Sequence, residues 1–127
     1  MKVTAEVFMG KDGRFTCYVP VEFENFGLAG YGDSAESAKN DMLSAYSEIK
    51  EMDASVPDLE FSFKYDLQSF FNIFSFLKVS KIAELSGINA SQMRQYASGC
   101  STASEMQYIK VRKAIAKIKK QFDSAVL

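Results

Sequence analysis

Between Ser80 and Gly99 the chain reads SKIAELSGINASQMRQYASG, an order of residues that few local folds accommodate. The spacing predicts two short helices joined by a tight turn, the helix-turn-helix arrangement. Ile82, Ala83 and Leu85 are expected to supply the buried positions of the first helix. Gly87 falls just past its end, where a left-handed backbone is needed and a side chain is costly. Ile88 is expected in the core, and Asn89 is a suitable N-cap for the second helix. Met93 and Tyr96, three apart, anchor that helix, and Gly99 ends it. The small Ala83 suits a close crossing of the two helices.

The outward positions of the second helix are Ala90, Ser91, Gln92, Arg94 and Gln95. In a helix-turn-helix the start of the second helix enters the DNA major groove. Gln bonds adenine in bidentate fashion, Ser bonds any base edge, and an Ala methyl meets the thymine methyl. Arg94 suits guanine or a phosphate. With the cap Asn89 and with Lys110 further along, these residues form the expected DNA-binding set: Asn89, Ala90, Ser91, Gln92, Arg94, Gln95 and Lys110. The plainer alternative is a small helical bundle whose polar residues are simply solvated.

A DNA-binding reading sits poorly with a formal net charge of −1 over 127 residues, until the charge is divided along the chain. Residues 1–65 hold six Lys/Arg and twelve Asp/Glu, net −6, whereas residues 66–127 hold nine and four, net +5. Such asymmetry is the mark of a nucleic-acid-binding domain joined to another with a basic partner. The expected division is therefore a first domain over 1–65 and a second over 66–127. An apolar content of 47% excludes a disordered chain. No apolar run approaches the roughly 20 residues of a membrane span, so no membrane association is expected. MKVTAEVF lacks the apolar core of a signal peptide, and Cys17 and Cys100 stand far apart. Both features point to the cytoplasm.

Within the first domain, Val3, Ala5, Val7 and Met9 alternate with polar residues as a strand. Gly10-Lys11-Asp12-Gly13 is hairpin chemistry, and Phe15, Cys17 and Val19 mark a second strand ending at Pro20. A third strand is expected around Leu28–Tyr31, with glycines 27, 30 and 32 suggesting bends. Asp33 is the expected N-cap of a helix, with Glu36 three residues on. Ala35, Ala38, Met42, Ala45, Tyr46, Ile49 and Met52 give that helix one apolar face. Leu59, Phe61, Phe63 and Tyr65 alternate as a fourth strand. In the second domain Asp66 can cap a helix over Leu67–Phe76, whose Leu67, Phe70, Phe71 and Phe74 are expected in the core around the helix-turn-helix. Ser104 is expected to cap the last helix, where Tyr108, Val111, Ile115, Ile118 and Phe122 form an apolar seam. Lys110, Lys113, Lys117 and Lys120 share its opposite face. The fold class is thus α+β, a small β-β-β-α-β sheet domain followed by an all-α helix-turn-helix domain.

The first half, with Tyr31-Gly32-Asp33 ending a strand and Ser34-Ala35-Glu36-Ser37-Ala38 opening a helix, resembles the HicB antitoxins of HicA–HicB toxin–antitoxin pairs. IAELSGINASQMRQYASG resembles the Cro/repressor type of helix-turn-helix that many HicB proteins carry. Gly32–Ala38 departs at one position from the family's G-D-[ST]-x-E-E-A, and the segment after Pro20 is longer than the family's loop. The resemblance implies a partial RNase H-like first domain that masks a small basic HicA-type ribonuclease toxin. It also implies a dimeric, or higher homo-oligomeric, second domain that represses its own operon by binding operator DNA.

The chain has no histidine, which removes the commonest general base and metal ligand. Neither cysteine has an activating His, and Glu6, Glu22 and Glu24 show no spacing that converges on a metal. The expectation is a binding protein, not an enzyme, with no catalytic residue, metal or cofactor. An alternative is a solitary DNA-binding regulator whose first domain senses a small molecule or another protein.

Overall fold

The computed structural model describes residues 1–127 and divides into two units, Met1–Ile73 and Phe74–Leu127. Together they make a mixed α+β chain with one four-stranded sheet and five helices.

In the first unit, β1 (Lys2–Met9) and β2 (Phe15–Tyr18) form an antiparallel hairpin. Gly13 turns the chain at φ 79°, and the Asp12 carboxylate accepts the Arg14 N–H at 3.0 Å. β3 (Ala29–Gly32), one residue later than expected, pairs antiparallel with β2. Helix α1 (Ala35–Met52) then crosses the sheet, and β4 (Glu60–Tyr65) joins β1 in parallel. The sheet order is β3-β2-β1-β4, so the first and last strands of the crossover lie at opposite edges. Val3, Ala5, Val7, Phe15 and Cys17 point to α1, whose Ala35, Ala38 and Met42 are fully buried.

Gly30 and Gly32 do not bend β3; they let α1 approach it. A Cβ on Gly30 would collide with the Met42 backbone nitrogen and lie 2.5 Å from the Ala38 carbonyl oxygen. One on Gly32 would lie 2.8 Å from the Ala38 nitrogen. The N-cap of α1 is Ser34, not Asp33: its hydroxyl accepts the Ser37 N–H, and the Ser37 hydroxyl accepts the Ser34 N–H, each at 3.0 Å. This reciprocal pair satisfies two N–H donors at the start of the helix.

Helix α2 (Leu67–Ile73) belongs to this unit, so the division falls after Ile73 and not at Asp66. Asp66 does cap it, accepting the Ser69 N–H at 2.8 Å. The helix ends before Phe76, and Leu67 and Phe71 are buried within the sheet unit, not around the later helices. A polar contact adds to the burial of these side chains in holding α2 there. The Asn72 side-chain oxygen accepts the N–H of Ala35, one of the donors that the first turn of α1 cannot satisfy itself, at 2.9 Å.

The second unit contains α3 (Val79–Ser86), α4 (Ala90–Ser98) and α5 (Glu105–Ser124). Its core is Ile82, Ala83, Ile88, Met93, Tyr96, Val111 and Ala114. Leu85, expected inside, is 53% exposed; Ser86 takes the inward position, with its hydroxyl donating to the Ile82 carbonyl at 2.6 Å. The helical period explains the exchange, because Ile82 and Ser86 are four apart and share a face. No helix is long and apolar enough to cross a membrane.

Candidate nucleic-acid interface

The α3–α4 pair is held in place by backbone chemistry. Gly87 takes the left-handed conformation at φ 71°, ψ 28°, and a Cβ there would meet nothing within 4 Å. Ile88 N–H returns to the Ala83 carbonyl at 3.0 Å, closing the end of α3 as the next residue enters the core. Asn89 starts α4 by accepting the N–H groups of Ser91 at 2.9 Å and Gln92 at 3.2 Å on its side-chain oxygen. Met93 and Tyr96 bury one side of α4, which fixes what the other side presents.

That other side carries Ser91, Arg94, Gln95 and Ser98, all exposed. Ser91 and Gln95 are four apart and neighbours on the surface, and Arg94 lies beside them. Gln92 is also exposed, on the flank, while Ala90 is half-buried. Asn89 is exposed but commits its side-chain oxygen to the cap, leaving its amide NH2 to meet a ligand. Lys110 stands on a separate element, α5, where it is exposed with Lys113, Lys117 and Lys120. The structure thus gathers Ser91, Arg94 and Gln95 on one row and places Lys110 on another helix.

Two contributors, Ser101 and Ser98, were not anticipated from the sequence. Gly99, at φ 83°, turns the chain so that the Cys100 and Ser101 N–H groups both reach the Gln95 carbonyl, at 2.9 and 3.3 Å. The same turn lets the Ser101 hydroxyl donate to the Gln95 side-chain oxygen at 3.0 Å, which orients the amide. That oxygen keeps a second lone pair and the NH2 keeps its donors, so the amide can still bond a base edge. Ser98 is the other, one helical turn beyond Gln95 on the exposed side. Gly99 was the available signal for Ser101; the contact depends on the turn's geometry.

Charge reinforces this arrangement. Residues 74–127 hold nine Lys/Arg and three Asp/Glu, net +6, against six and thirteen, net −7, in residues 1–73. The revised division sharpens the contrast because Asp66 joins the acidic unit. The Arg112–Glu105 ion pair occupies one of these cations; the lysine row lies on other positions of α5.

The fold defines a class no finer than a mixed α+β protein with an acidic sheet unit and a basic helical unit. No protein-family model, curated protein or solved structure matches the chain.

Proposed function

We propose that the protein is a HicB-like antitoxin and transcriptional autorepressor. In this reading α3 and α4 are a helix-turn-helix that binds operator DNA, and the sheet unit is a partial RNase H-like domain that captures a basic HicA-type toxin. The observation that carries the DNA reading is the exposed row of Ser91, Arg94 and Gln95 on a helix of a unit with net charge +6. Ser91 and Gln95 read base edges, and Arg94 with the lysine row of α5 contacts phosphates.

The repressor acts as a homodimer, matching two half-sites one helical turn apart. Its contact is the end of the α5 apolar seam, where Ile118 is followed by Phe122 at 71% exposure. The acidic sheet unit attracts a basic protein through opposite fields. Binding rather than catalysis is its role. An experiment with the purified chain and the DNA upstream of its gene tests this: a gel shift that Ser91→Ala with Gln95→Ala reduces for the operator but not for random DNA supports the reading. An unaltered preference overturns the assigned residues.

A further inference from the structure

The sheet of the first unit has a second face that α1 does not cover, and this face carries aromatic side chains. Phe8 and Tyr18 stand there edge to face, with ring centres 5.8 Å apart. β2 ends at Tyr18, and the chain makes a loop over residues 19–28 before β3, closed at its neck by the Val19 N–H to Leu28 carbonyl bond at 3.0 Å. In that loop Phe23 and Phe26 stack in parallel, with centres 4.5 Å and planes 4° apart. Loop and sheet enclose an open groove of about 730 Å³, with Tyr31, 52% exposed, on its wall. This is room for a short stretch of side chains.

The groove is acidic as well as aromatic. Glu22 lines it, and Glu24 follows in the same loop. Glu6 lies across from Tyr18 in the ladder and accepts its hydroxyl, which holds the phenol above its ordinary pKa. Lys64, across from Glu6 on β4, shares this face of the sheet but stands on the edge strand opposite β3 and does not line the groove. Arg14, at the hairpin end, is engaged with Asp33 at 3.5 Å. Ring faces flanked by carboxylates suit a flat cation: guanidinium stacks on rings and keeps its donors for carboxylates, whereas ammonium acts as a compact point charge.

We infer that this groove is the docking site for an arginine-bearing segment of a basic partner protein, the guanidinium lying on the Tyr18, Phe23 and Phe26 rings and bonding Glu22. This rests on the reading that the acidic unit captures a basic protein, and it names where and by what chemistry.

The test is an amide NMR titration of the full-length chain with a tetra-arginine peptide at near-physiological salt, repeated with tetralysine. The expected shifts centre on Phe8, Thr16, Tyr18 and residues 22–31, with tetra-arginine bound about threefold or more tighter than tetralysine. Glu22→Lys, at an exposed loop position, is expected to weaken tetra-arginine binding several-fold with the remaining spectrum unchanged. Phe26→Ala is expected to remove the preference for arginine. Equal binding of the two peptides would overturn the aromatic contribution. Shifts confined to the outer carboxylates of α1 (Glu36, Glu48 and Glu51) would overturn the groove and leave capture by the acidic unit standing. No shift anywhere in residues 1–73 would overturn both.

Discussion

The turn at Gly87 offers a clean perturbation, because conformation and space can be separated there. At φ 71° an alanine sits in the left-handed region, which costs about 1–2 kcal/mol. Alanine also stiffens the unfolded chain, returning about 0.4–1 kcal/mol. A Cβ at Gly87 meets no atom within 4 Å, so no packing cost is added. Gly87→Ala is therefore expected to destabilise the second unit by about 1 kcal/mol, about fivefold in its opening equilibrium. Gly87→Asn, which tolerates this conformation better, is expected to cost less. Native-state hydrogen exchange on the full chain, read separately for residues 1–73 and 74–127, measures this. Gly13→Ala is the matched control: its φ is 79°, its Cβ is equally free, and its cost should appear in the first unit instead. Unchanged or increased protection in Gly87→Ala would refute the strained turn. A loss beyond about 3 kcal/mol would mean the side chain meets something, contradicting the open space around it.

Gly30→Ala presents the opposite case, steric and not conformational: its Cβ meets helix backbone, so α1 must lift from β3, at a cost of about 3 kcal/mol or more by denaturant unfolding; a cost below 1 kcal/mol would contradict the close approach. Asn89→Ala removes the acceptor of two N–H groups and is expected to cost the second unit about 1 kcal/mol, read by the same exchange experiment. Cys17 is fully buried and its thiol is pushed up to about 11, so a thiol reagent at pH 8 should label the exposed Cys100 and spare Cys17; equal labelling would contradict this. Because burial raises that thiol from 9.0 to about 11, the native state holds its proton more tightly than the unfolded one, and its contribution to stability, intact below pH 9, should decline as pH climbs from 9 towards 11.

What the sequence made legible was local. Gly87, Asn89, Gly99 and Ser104 announce helix ends because capping chemistry needs those residues within one turn. The alternation in β1 and β4 marks strands for the same local reason. Long-range choices were hidden. The stripe Leu67, Phe70, Phe71 shows that α2 has an apolar face without saying which core receives it; contacts distant in sequence, such as Asn72 reaching Ala35 over 37 residues of separation, belong to that choice. Gly30 and Gly32 look like strand breakers until the backbone of α1 lies against them. The strand order, with β4 parallel to β1, depends on the path of the crossover and left no mark in the strand residues themselves. In the candidate interface, the outward positions of α4 followed from Met93 and Tyr96 facing inward. The hydrogen bond from Ser101 to Gln95 did not, since it follows from the turn at Gly99.

In the proposed function the basic helical unit reads operator DNA. The most direct measurement is a footprint of the purified protein on the DNA upstream of its own gene, at two salt concentrations. Operator binding by this unit is expected to protect a short inverted repeat, and the protection to fade steeply as salt rises, because lysine and arginine contacts release counterions from the phosphates. No protected repeat at either salt concentration would contradict it.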